Sequence, residues 1–108
     1  MAKAIATMNL TAPAALKQVK TIAENSANVF ILPHAKQRQG ERGITLAQIL
    51  ECLRKGKITE GPLRDIKTGN WRVKMERFCS GQCVIVVAEI FTNEKHEKLL
   101  VVTTYLGG

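Results

Sequence analysis

Gly56 divides this 108-residue chain into two halves with different hydrophobic periods, and that change constrains the fold more than any other feature. Before it, apolar residues recur every three to four positions; after it, they alternate with polar residues or run together. Helices first and sheet second define an α+β arrangement in two layers, whereas a doubly wound fold would interleave the two periods. The length supports a single domain over residues 1–108 with one core. Within it, residues 1–28 read as an N-terminal helical extension and 29–106 as the main α+β core.

Three helices are expected in the first half. In TAPAALKQVKTIAENSA, Thr11 and Pro13 open a segment whose Leu16, Val19, Ile22 and Ala23 make one buried stripe. VFIL, residues 29–32, is short and β-rich, which suits an extended connector or an edge strand. Pro33 then starts a second, short helix that Gly43 stops. Thr45 caps a third helix, LAQILECLRKG, with Leu46, Ile49, Leu50 and Leu53 as its apolar stripe.

The second half reads as strands. KITEGPLRDI bends at Gly61-Pro62, and NWRVKMERFC alternates Trp71, Val73 and Met75 with Arg72, Lys74 and Glu76, the mark of a half-buried strand. Ser80-Gly81 turns the chain into QCVIVVAEIF, apolar on both faces and so central in the sheet. TNEKHEK makes the next turn and LLVVTTYL the last strand. The expectation is N-terminal helices packed on an antiparallel sheet of about four strands.

No apolar run reaches the length of a membrane span, and MAKAIATMNLTAP lacks the apolar core of a secretory signal, so the expected location is cytoplasmic. A formal charge of +7 favours polyanionic partners, RNA above all, or an acidic protein. Three cysteines, an odd count, argue against a secreted disulfide framework. Cys79 and Cys83 could face each other across a hairpin, as a pair or as two metal ligands, but no Cys/His set completes four. The expectation is therefore no metal and no cofactor, with reduced thiols.

The first candidate site is HAKQRQGERGIT, residues 34–45. At 100° per residue, Arg38 falls about 40° from His34, Glu41 about −20° and Arg42 about 80°, so all four share one face. Histidine exchanges a proton near neutral pH and arginine holds phosphate bidentately, the parts needed for phosphodiester cleavage. The bland alternative is an Arg38–Glu41 surface pair beside a His34 that helps the helix begin. A second candidate is the cationic face of NWRVKMERFC. Arg72 and Lys74, joined in sequence by Arg77, Arg64 and Lys67, could cradle an RNA backbone, although a solvated strand face is commonly charged. Trp71 falls on the apolar side and reads as core. Thr103 and Thr104 point to opposite faces, Tyr105 shares the face of Thr103, and each hydroxyl needs a partner or an opening onto a site. His96 reads as surface.

VFILPHAKQRQGERGITLAQILECLRKGKITEGPLRD, with NWRVKMERF, VIVVAEI and LLVVTTY, resembles a widespread bacterial domain of unknown function. The pattern F-x-x-x-H-A-x-x-R-x-x-x-R-x-I-T, an apolar helix, and strands ending V-V-T carry the resemblance over residues 29–105. That domain is in turn similar to the RelE, ParE and BrnT toxins and to MqsR, small basic proteins with helices laid on an antiparallel sheet. The resemblance implies a RelE-like, toxin-like core and metal-independent ribonuclease activity, with His34, Arg38, Arg42 and Thr103 at the matching positions. Arg72, Lys74 and Arg77 lie outside that pattern. Gly40 inside the motif helix departs from good helix-forming sequence. The expected function is RNA cleavage by attack of the 2′-hydroxyl. The alternatives are a non-catalytic module binding nucleic acid or an acidic antitoxin-like protein, and a homodimer formed through a sheet edge.

Overall fold

The computed structural model describes residues 10–79, 81–94 and 96–107. Residues 1–9 of the stretch weighed as a leader, Ser80, Lys95 and Gly108 lie outside them. Three helices, α1 (Ala12–Ala23), α2 (Pro33–Arg42) and α3 (Leu46–Lys55), precede or flank five strands: β1 (Val29–Ile31), β2 (Lys57–Arg64), β3 (Trp71–Cys79), β4 (Gln82–Asn93) and β5 (His96–Gly107). The α+β class stands, with helices on one face of a single sheet.

Local chemistry sets the helix limits. Thr11 accepts the Ala14 N–H at 3.2 Å to start α1, and the stripe Ala15, Val19, Ile22 and Ala23 is buried. Thr45 and Gln48 form a reciprocal capping box at α3, each accepting the other's backbone N–H, at 3.0 and 2.8 Å. Arg54 on α3 donates to the Ala23 carbonyl at 2.7 Å, tying the end of α1 to α3. The stripe of α3 divides differently from expectation. Ile49, Cys52 and Leu53 are fully buried, while Leu46 is 49% exposed because the first turn of the helix overhangs the sheet edge at β1. Burial pushes the Cys52 thiol up to about 12, and its Sγ lies 3.5 Å from the Val84 carbonyl.

The sheet order is β1-β5-β4-β3-β2, five strands where about four were expected. Four of them make the antiparallel meander. The fifth, β1, pairs parallel with β5, Phe30 opposite Leu100, so the sheet is mixed. A three-residue strand is too short to show a period, and its partner lies about seventy positions away. At the other edge β2 is irregular: Gly61 has φ +94°, and a Cβ there would meet the Arg72 carbonyl oxygen at 2.6 Å.

β4 is the middle strand. Its Val84, Val86, Ala88 and Ile90 face the helices with Val73 and Met75 of β3 and Leu99 and Val101 of β5. The register slips at Val102, where Val87 pairs with Thr103 but Ala88 pairs with Val101. This bulge resets the phase of β5, turning Thr104 inward and Thr103 and Tyr105 to the open face. Thr104 is buried and donates to the Ile85 carbonyl at 2.8 Å. β1 and α1 complete the same core, so residues 10–28 are integral to it.

The first hairpin closes the cysteine question. Cys83 lies opposite Phe78 and Cys79 opposite Gln82, so the two thiols point to opposite faces and cannot pair or share a metal. All three cysteines are free. The last hairpin is tighter than TNEKHEK suggested, with β4 running to Asn93 and β5 starting at the exposed His96.

Candidate functional site

Helix α2 is positioned by its two ends. Leu32, extended, donates its N–H to the Val101 carbonyl at 3.1 Å and accepts the Lys36 N–H at 2.9 Å, so the helix starts where β1 leaves the sheet. Ala35 is its one buried residue. Gly43 takes the left-handed conformation, φ +68°, and the Ile44 N–H returns to the Gln39 carbonyl at 3.0 Å, burying Ile44. Pinned this way, α2 packs against β5, the strand that carries Thr103.

On this helix His34 and Arg42 are exposed, and among the described residues neither side chain makes a hydrogen bond or ion pair. Arg38 is half-buried, with Nη1 3.4 Å from Glu41 Oε1; Gln37 donates to the other Glu41 oxygen at 3.1 Å. The Arg38–Glu41 pair of the bland reading therefore exists, and at this exposure it contributes little. Thr103 is half-buried on the open face and makes no side-chain bond to His34, Arg38 or Arg42 among the described residues. The structure brings the helical three onto one element and sets that element on the strand of the fourth. Gly40 faces open space, with nothing within 4 Å of a built Cβ, and its backbone is ordinary helix. Gly40→Ala is expected to raise stability by about 0.5–1 kcal/mol, read as a higher urea midpoint; a lower midpoint would mean that α2 needs the glycine for another reason.

The strand-borne cations are placed differently. Arg72 is consumed within the molecule: its Nε and Nη2 donate to Glu89 Oε2 at 3.0 and 2.7 Å, and Nη2 lies 3.4 Å from Asp65 Oδ2. Glu89 is 3% exposed, and Asn70 Nδ2 donates to its other oxygen at 3.1 Å. The Lys67 backbone N–H, bonded to the Asp65 carboxylate, holds Asp65 below the ordinary carboxylate range, with the Arg72 guanidinium adding to the effect. Lys74 shares the open face with Arg72. Its ammonium lies 5.9 Å from the Tyr105 ring centre and 3.8 Å from Glu60, and the Tyr105 oxygen first, then Glu60, holds it above its ordinary value. Arg77 is on the opposite face: the alternation that buries Val73 and Met75 carries it to the helix side, 3.5 Å from Glu51. The three cations do not form one surface. Trp71 packs on the core as expected, with the Arg64 guanidinium 4.5 Å above its ring.

Glu89, Asp65 and Asn70 were not foreseen. The available signal was one carboxylate inside the apolar run CVIVVAEIF, in phase with Arg72 on the neighbouring strand. Among the described residues no group of three or more His, Cys, Asp or Glu side chains could hold a metal ion, and no helix is long and apolar enough to cross a membrane.

A basic helix led out of a parallel edge strand and laid on the last strand of an antiparallel meander defines a small mixed α+β domain. Residues 31–106 match the family described as Domain of unknown function (DUF4258), and the chain belongs to that family. Helix α1, which precedes the match, nonetheless supplies Val19 and Ile22 to the shared core. No curated protein and no solved structure matches the chain.

Proposed function

We propose that this protein is a small, basic, RelE-like toxin of the cytoplasm that cuts RNA without a metal. The observation that carries this reading is on α2: His34 and Arg42 are exposed on the same side as Arg38 and make no side-chain bond among the described residues, whereas Arg72 is spent on Glu89 and Asp65. A chain of net charge +7 draws a polyanion to such a surface.

In the proposed reaction a base takes the proton of the ribose 2′-hydroxyl as its oxygen bonds to the adjacent phosphorus. The bond to the 5′-oxygen breaks, an acid protonates that oxygen, and the products are a 2′,3′-cyclic phosphate and a 5′-hydroxyl. His34 serves as the acid or base. Arg38, released from Glu41 by the stronger phosphate contact, and Arg42 stabilise the charge gathering on phosphorus. Thr103 contacts the phosphate backbone from β5; its place on the open face turns it away from His34. Lys74 is a secondary backbone contact on the sheet and Arg77 one on the helix side, while Arg72 is withheld from RNA by Glu89 and Asp65.

The test is incubation of purified protein with RNA in EDTA. Fragments bearing cyclic phosphate ends support the reading. Salt-dependent binding without fragments would replace it with a module that holds nucleic acid or an acidic antitoxin-like protein, a reading favoured by the lack, among the described residues, of a bond from Thr103 to the helical residues.

A further inference from the structure

Around the outer edge of β1 the fold leaves apolar side chains outside the core. Phe30 is 45% and Leu46 49% exposed, and with Ile31, Leu50 and Leu100 they line a groove of about 510 Å³ that wraps this edge. Lys36 of α2 also lines it. β1 ends the strand order, so one of its sides is bonded to β5 and the other carries no strand among the described residues. The Leu32 N–H is spent on the Val101 carbonyl, and the alternation of a parallel ladder then turns the Ile31 N–H and C=O outward. Apolar surface waits on both sides of those groups. On the open face Phe30 packs edge-on against Phe91, with ring centres 6.1 Å apart; on the helix side Leu46 and Leu50 rise from α3.

We propose that this edge takes an added strand from an acidic partner protein, a short extended segment of bulky apolar residues flanked by carboxylates. An added strand sends successive side chains to opposite faces, one onto Phe30 and the next onto Leu46 and Leu50, while its backbone bonds Ile31. Because β1 is only three residues long, main-chain bonds are few and the side chains must supply most of the affinity. Charge selects the occupant. Lys36 of α2 is the charged side chain lining the groove, and the chain carries +7. Pairing β1 with β1 of a second copy about a two-fold axis would bring two such basic helices together, so a like-charged copy is disfavoured and an acidic segment is drawn in. This inference does not depend on RNA cleavage and would survive its failure.

The test uses fluorescein-labelled peptides and anisotropy titration of the full chain. EEEVLVEEE is expected to bind, with EEESGSEEE and KKKVLVKKK each at least tenfold weaker, since the first lacks the apolar centre and the second the charge. Leu46→Gln should weaken EEEVLVEEE at least tenfold, with an unchanged circular dichroism spectrum. Lys36→Glu, fully on the surface of α2, should weaken EEEVLVEEE and strengthen KKKVLVKKK. The proposal is overturned if EEEVLVEEE binds no better than EEESGSEEE, or if neither substitution changes its affinity. It is equally overturned if sedimentation finds a dimer of the free chain that Leu46→Gln dissociates, since a second copy then occupies the edge.

Discussion

His34→Ala is expected to lower RNA cleavage in EDTA by about a hundred- to ten-thousandfold, the range that a positioned acid or base contributes. The same substitution should leave the fold nearly untouched. His34 is exposed in the first turn of α2 and makes no side-chain bond among the described residues, so its removal should change stability by no more than about 0.5 kcal/mol. That separation makes the experiment decisive: a large kinetic effect without a thermal shift assigns chemistry to the side chain. Arg42→Ala, equally exposed, should weaken RNA binding and its salt dependence. Cleavage that persists in His34→Ala would end the catalytic assignment, whatever the binding data show.

Arg72→Met should behave in the opposite way, with a stability cost of about 3 kcal/mol and little specific effect on RNA. Without the guanidinium, Glu89 keeps only the Asn70 bond while buried to 3% exposure, and a buried carboxylate left with one partner is costly. The cost sits at the lower end for broken buried pairs because the Arg72 side chain is itself 44% exposed. Removing both charges in Arg72→Met/Glu89→Leu should recover most of the loss, since no charge is then stranded. Urea midpoints at an unchanged slope measure the cycle. If Arg72→Met instead unfolds at the parent midpoint and loses RNA affinity, Arg72 is a nucleic-acid contact and the network is incidental. Acid offers a further check. The folded-state value of Asp65 is depressed, so its contribution is present at neutral pH and is lost as pH falls through that lowered value. The parent's urea midpoint should therefore fall on acidification through that range, and Asp65→Asn should flatten the fall.

Much of the α+β layout could be read directly from short stretches. Thr11, Thr45 with Gln48, and Gly43 act on backbone groups within four residues, and each ends or begins a helix where its chemistry demands. The alternation in WRVKM likewise carries its own answer, since period two buries Val73 and Met75 whatever lies on either side. Arg77 shows how far that logic extends: continued strictly, the same period already assigns it to the helix side, away from Arg72 and Lys74.

What short-range chemistry does not determine is which distant groups meet. The pairing of β1 with β5, the bulge at Val102 that aims Thr103, the burial of Glu89 under Arg72, and the overhang of Leu46 all join residues far apart in the chain. Their energies depend on surfaces assembled only when the sheet and helices close together. By itself the sequence determined three capped helices, a period-two second half and a basic motif on one helix face. Long-range packing settled the rest: this helix lies along β5, Arg72 is spent inside the fold, and among the described residues one edge of the sheet carries exposed apolar side chains. Caps and periods are local and repeat along the chain, whereas desolvated ion pairs and strand partners are chosen by the whole packed molecule.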